Sequence, residues 1–330
     1  MNAKRLIVIT VSILALVAFS MPALAADVTI KLATGTPKTH PQDRGALFFA
    51  DMVNKESKGE IEVKVYHSGA LGGHREAMEG MQLGTVDMFV GALAFQASFY
   101  KPIVVLELPF LFRDLDHSWK VKHGPIGAKL QEGFLKKTGV RLIAWGGGSF
   151  QGMYTHRRQI KTLEDMKGLK MRVMNNPVRV AYMNDWGAKA VPMSFGEFYS
   201  AMEQKVVDGG ENSYATYGSA KHYEVAQYFT ESDHTHLASG ILIAEKVYQG
   251  LSPKHRAIVD KAAAAADVAM AEFWKEKQGS ARQEAEAGGS QVYLMPKSER
   301  ARFEKAAQPV YEKFADQLGG MEIIEAIKAQ

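Results

Sequence analysis

Apolar and polar residues recur along this chain at two spacings, and the switch between them marks out its elements. Val28-Thr-Ile-Lys-Leu-Ala33 and Ile61-Glu-Val-Lys-Val-Tyr66 alternate strictly, as strands with one covered face do. Between them, Gln42–Lys58 carries Ala46, Phe49, Ala50 and Val53 on a single helical face. The glycine-rich turn Gly69-Ala-Leu-Gly-Gly73 leads into a helix predicted over Arg75–Leu83. Val86–Ala92 and Ile103–Phe110 are short continuous apolar runs, the pattern of strands buried on both faces, with Phe95–Tyr100 as a loop between them. Leu115–Lys137 reads as one helix and Val140–Trp145 as a strand, after which Gly146–Phe150 begins with three glycines and suits a change of direction.

The second half repeats the theme. A strand is expected near Met153–Thr155, and another where Leu169, Met171 and Val173 alternate with Lys170 and Arg172. Helix Pro177–Trp186 and strand Ala190–Pro192 follow, and Ser194-Phe-Gly-Glu197 forms a capping box for a helix reaching about Lys205. Asp208-Gly-Gly-Glu-Asn212 is rich in turn formers, so it reads as an exit that delivers Glu211 and Asn212 to an edge or crevice. Gly240–Ala244 is a buried strand. Ser252 and Pro253 then open a helix that meets no strong stop before Ala287, an extent of roughly 50 Å. Gln291–Leu294 and helices over Glu299–Leu318 and Met321–Ala329 complete an α/β chain.

Composition narrows the chemistry. Lys4 and Arg5 precede an apolar run from Leu6 to Phe19 and a small-residue stretch ending at Ala25, the pattern of a secretory leader over residues 1–25. The run falls short of the about 20 apolar residues that span a bilayer, and the rest of the chain carries no such run, so a soluble exported protein is expected. Without that leader the formal charge falls from +4 to +2, too balanced for a nucleic-acid binder. The chain has no cysteine, which excludes disulfides, cysteine-ligated zinc and a thiol nucleophile.

Arg172 leaves its strand near the C-terminal end, where open α/β sheets place ligands, and its planar fork suits a carboxylate. Pairing with a nearby acid is the alternative. His234-Thr-His236 with His222 resembles a metal pair, but few acidic ligands accompany it, and hydrogen-bonded structure is the better reading. Gly147-Gly-Ser149 lacks the glycine of a nucleophile elbow, since Gln151 occupies that place. Glu76 and Glu211 read as solvated or ligand-orienting carboxylates rather than an acid/base pair.

Five segments taken together resemble the solute-binding proteins of tripartite ATP-independent periplasmic (TRAP) transporters, the C4-dicarboxylate-type family. They are Gly69–Gly73, Leu108-Pro-Phe-Leu-Phe112, Asp165–Val173, Pro192-Met-Ser-Phe195 with Glu197-Phe-Tyr199, and Val207–Asn212. The resemblance implies a two-lobed periplasmic binding protein of α/β class, with open sheets flanked by helices, crossing strands and a long helix spanning both lobes. One lobe comprises residues 26–149 with about 238–277, the other 150–237 with about 278–330. It implies a non-enzymatic receptor, expected to be monomeric, that needs no cofactor or metal and hands an organic acid to the membrane subunits of a TRAP transporter. Arg172 would hold the carboxylate, with Asn175, Phe195 and Asn212 lining the same cleft. His40, Arg75, Glu76, Phe95, Gln151 and Ser239 are further candidates. Many relatives carry a second arginine where this chain has Ser149–Gly152, and Ala92 and Phe95 replace charged groups used for sugar acids. A monocarboxylate with an apolar or aromatic body is therefore expected. A dicarboxylate gripped by His40 or Arg75 stays open.

Overall fold

The structure is a computed structural model and describes residues 26–330; the leader expected over residues 1–25 lies outside the described residues. β1 (Val28–Thr34), α1 (Pro41–Glu56), β2 (Ile61–Tyr66), α2 (His74–Leu83) and β3 (Met88–Ala92) form two successive crossover units in which β1 pairs in parallel with both β2 and β3. α1 starts where His40 caps it, its ring accepting from the Gln42 N–H, and it buries the predicted face of Ala46, Phe49, Ala50 and Val53. Two 3-10 helices follow, Leu93–Ser98 and Lys101–Glu107. The second replaces most of the strand expected over Ile103–Phe110: Pro102 sets its first turn, and burial from Ile103 to Glu107 accounts for the unbroken apolar run. The helix expected over Leu115–Lys137 is two, α3 (Leu115–His123) and α4 (Pro125–Thr138), because Pro125 opens a new helix and pushes Gly124 into an extended conformation.

β4 (Val140–Ala144) and β5 (Gly148–Phe150) precede β6 (Gly152–Thr155), β7 (Lys170–Val173), α5 (Pro177–Asp185), β8 (Lys189–Pro192) and α6 (Phe195–Glu203), which begins at the predicted capping box. Then come β9 (Gly209–Asn212), α7 (Tyr214–Ser219), β10 (Tyr228–Glu231), β11 (His236–Ala244) and α8 (Glu245–Gly250). α9 (Pro253–Ala287), β12 (Gln291–Leu294), α10 (Lys297–Leu318) and α11 (Met321–Ala329) end the chain. One sheet runs β2-β1-β3-β11-β4, with β5 also paired to β11, and the other runs β12-β10-β6-β9-β7-β8. The chain passes from the first sheet to the second at Gln151 and returns between Ser232 and Thr235. These two crossings are stitched together, the Gln151 N–H donating to the Thr235 carbonyl at 2.9 Å.

α9 runs unbroken through Gly279 and packs on α1 of one sheet and α7 of the other. Two glycines allow that approach. A Cβ at Gly45 would lie 2.2 Å from Met270 Cγ, and one at Gly218 would lie 2.7 Å from Ala281 Cβ. Between the sheets a small cluster joins Ala92, Ala94, Phe95, Met174, Ala215, Leu237 and Trp274, with Phe195 against it.

The stretch Asp208–Asn212, expected as a turn-rich exit, contributes β9, a central strand between β6 and β7. Its glycines serve close packing rather than turning: a Cβ at Gly209 would meet the Tyr154 carbonyl at 1.9 Å, and one at Gly210 would meet the Phe198 ring at 2.4 Å. Gly209→Ala is expected to lower stability by about 1–3 kcal/mol through overpacking, read as a lower urea midpoint. An unchanged midpoint contradicts this account of β9.

Candidate functional site

Arg172, next to last on β7, is wholly buried rather than lying on a half-exposed face. Its Nε and Nη2 donate to the Met193 carbonyl at 3.2 and 2.8 Å, and Cζ lies 4.8 Å from the Phe198 ring centroid and 6.0 Å from that of Phe95. Nη1 is buried and has no hydrogen-bond partner among the described residues. Burial lowers the pKa of this guanidinium to about 10, so it stays charged at neutral pH.

Histidines near it are kept neutral. His74 and His222 are each lowered to about 3, first by burial and then by the charge of Arg172. His40 is also lowered to about 3, chiefly by burial. His40 Nε2 lies 3.1 Å from Thr216 Oγ1, a contact between the β1–α1 loop and α7, and its ring meets Trp274 edge-on at 5.0 Å. His222 Nδ1 lies 2.7 Å from the Tyr154 hydroxyl, which in turn accepts a long 3.5 Å contact from Asn212 Nδ2.

A cavity of about 390 Å³ is lined by Gly35, His74, Phe95, Asn175, Phe195 and Glu197 among others, and Arg172 approaches it through the ring of Phe95. Of the predicted site residues, Arg172 and Asn212 are buried, and Phe95 and Phe195 belong to the inter-sheet cluster. Asn175, Arg75 and Glu76 sit exposed at the cavity rim, and Arg75 Nε is held by Glu79 at 2.9 Å. The Ser239 hydroxyl, directly across β3 from Ala92, accepts from Gln42 Nε2 at 2.8 Å. The rim asparagine has a buried neighbour the sequence reading passed over: Asn176 caps α5 and donates to the Ala94 carbonyl at 3.2 Å.

Gln151 leads to a second buried cation that sequence reasoning missed. Its Oε1 accepts from Arg179 Nη1 at 3.1 Å, so an arginine does reach the place left by the missing one, from α5 instead of the crossing strand. Arg179 lies inside the apolar stripe of its helix with Val178 and Tyr182, a placement that in itself signals a buried partner. Its charge is already met by Glu107 and by Glu211 Oε1 at 2.6 Å. Burial raises Glu107. Burial also works against ionised Glu211, but Arg179, His234 at 2.8 Å and Tyr182 at 2.6 Å outweigh it and bring the carboxyl to about 2. His234 is thus a hydrogen-bonded structural residue, its Nδ1 lying 2.8 Å from Ser232, and the described residues contain no cluster suited to a metal. Besides Arg172 Nη1, Thr36 Oγ1, both amide atoms of Gln96, Ser149 Oγ and Gln151 Nε2 are buried without partners among the described residues.

Another cavity, of about 410 Å³, lies by α9 and β5 and is lined by Ser149, Phe150, Tyr214, Trp274 and Arg282. Its arginine is paired, Arg282 with Glu231 at 2.6 Å, and its other cation, Lys275, is exposed to solvent.

The family model described as bacterial extracellular solute-binding protein, family 7, matches residues 32–317. The chain belongs to this family. A C4-dicarboxylate-binding periplasmic protein of Rhodobacter capsulatus is 31% identical over 314 residues, covering 94% of this chain and 93% of the relative. A TRAP periplasmic solute-binding protein from Polaromonas sp. JS666, bound to D-erythronate, is 30% identical with a TM-score of 0.87 and covers 92% of this chain and 98% of that one. A sugar acid binding protein from Advenella mimigardefordensis, in complex with galactonate, is 28% identical with a TM-score of 0.88, covering 92% and 98%. This TRAP family member is accordingly a solute-binding protein and not an enzyme. In it, Glu211→Gln strips the Arg179 cluster of one carboxylate and is expected to cost about 3–5 kcal/mol at neutral pH. A depressed carboxyl contributes stability above its usual 4.5 and loses it as pH falls toward about 2, so the gap between parent and variant in melting experiments should close over that interval.

Proposed function

We propose that this protein is a periplasmic receptor that captures a small organic monocarboxylate between its two sheets and delivers it to the membrane subunits of a TRAP transporter. One observation carries the reading: Arg172 is a fully buried cation, free of any carboxylate partner among the described residues, with Nη1 unpaired and Cζ 6.0 Å from the ring of Phe95, which lines a cavity of about 390 Å³. A carboxylate docking there gains charge-assisted hydrogen bonds of about 1.5–3 kcal/mol each, a large part of the about 8 kcal/mol of a micromolar complex. Asn212 and the rim Asn175 orient it, and Phe95 and Phe195 supply the apolar wall. A single uncompensated cation among neutral histidines favours one carboxylate over two, and His40, already engaged by Thr216 and Gln42, is a poor grip for a second.

The body of the ligand calls for a revision of the apolar expectation. The cavity mixes Phe95 and Phe195 with the polar His74, Asn175 and Ser194, which favours a hydroxylated chain whose C–H side lies on the aromatic wall. The erythronate and galactonate held by the structural relatives agree with that. Capture proceeds by closure of the lobes, residues 26–149 with about 238–277 against 150–237 with about 278–330, which removes water from the guanidinium. The contacts His40 to Thr216 and Asn176 to Ala94 are of the kind that would hold such a closed state.

A thermal-shift screen of organic acids should find ligands that add about 2.7 kcal/mol of stability at a hundredfold excess over Kd, while divalent metals add nothing. Arg172→Lys keeps the charge but loses the fork, so calorimetry should record an affinity at least about tenfold weaker. Equal affinity in parent and variant would sink the assignment.

A further inference from the structure

His74 opens α2 with its imidazole wedged between two glycines. A Cβ at Gly35 would lie 2.7 Å from ring Cε1 and one at Gly91 would lie 3.0 Å from Cδ2, so a side chain at either position would crowd the ring. The ring packs on Phe95, with centroids 4.3 Å apart and planes 31° from parallel, and meets Phe89 edge-on at 5.2 Å. Phe95 is the same ring that Arg172 approaches from the opposite sheet. His74 is only 6% exposed, and it lines the 390 Å³ cavity with Phe95, Asn175 and Phe195. His40 and His222 each spend a ring nitrogen on Thr216 or Tyr154. Neither ring nitrogen of His74 is hydrogen-bonded to a described residue, although four aromatic and glycine neighbours fix where the ring sits.

We infer that His74 reads a hydroxyl group of the ligand and makes the site selective for hydroxylated monocarboxylates over apolar acids of equal length and over dicarboxylates. The inference rests on Arg172 anchoring the carboxylate. Burial and the neighbouring guanidinium hold His74 neutral, with its pKa at about 3. A neutral imidazole offers one N–H donor and one lone pair, which match the two faces of a hydroxyl. It offers no second positive charge for a second carboxylate. An apolar acid would cover these nitrogens without pairing them, and a site built to hydrogen-bond a hydroxyl discriminates strongly against the analogue that lacks it.

Calorimetry on the exported chain tests this with D-erythronate and D-galactonate against butanoate and hexanoate, their counterparts in length, and with galactarate as the dicarboxylate. The parent should prefer one of the hydroxylated acids over its apolar counterpart by at least about tenfold, and galactarate should bind more weakly than galactonate. His74→Phe should erase most of that preference by losing the hydroxylated acid while leaving the apolar acid's affinity near the parent's. His74→Gln, which keeps a donor and an acceptor, should retain part of it. A folded His74→Phe protein with the full preference overturns the inference, as does a parent that favours neither hydroxylated acid or binds galactarate more tightly. If His74→Phe does not fold, the His74→Gln and parent comparisons decide. Failure of the anchor has a different signature: Arg172→Lys would then leave every affinity unchanged, whatever the His74 variants do.

Discussion

A guanidinium withdrawn from water is tolerable only where something answers its charge, and the described residues contain two such groups with opposite answers. Arg179 is met inside the protein by Glu107 and Glu211, with Gln151 and Tyr182 completing its donors. Arg172 has one carbonyl, two aromatic faces and an idle Nη1. The first arrangement locks the region where the chain crosses between sheets. The second leaves a cation without a carboxylate partner among the described residues, and the surrounding neutral histidines add no charge of their own.

Local rules made much of the fold readable. The alternation of β1 and β2, the capping box of Ser194 and Glu197, and the Ser252-Pro253 start of α9 each depend on a few adjacent residues, and each appears where expected. What failed depends on distant contacts. The apolar run near Ile103 fits a buried strand as well as a buried 3-10 helix, because burial on all sides erases periodicity. The glycines of β9 look like turn residues until Tyr154 and Phe198 are seen pressed against them. β10, α7 and α8 carry weak patterns and emerge only through their pairing and packing.

The site divides the same way. Arg172 stood out as a candidate because an arginine at the end of an alternating strand has few destinations, Phe195 because it lies in a segment that carries the family resemblance, and Phe95 because it stands where relatives use charged groups. Arg179, Glu107 and His74 escaped notice, since their meaning lies in a partner 72 residues away, as for Arg179 and Glu107, or in the gaps that Gly35 and Gly91 leave beside a ring. An arginine within an apolar helical stripe was the one local clue to the buried network.

The unbroken α9 carries a directional consequence. A stiff rod fastened to both sheets along one flank forbids them to part on that side, so any gap must yawn at the other. The cavity lined by His74 and Phe95 has Arg75, Glu76, Asn175 and Glu197 exposed at its rim. A solute entering by that rim meets three exposed charges and an amide first, which makes the threshold, as much as the interior, a filter on what the protein admits.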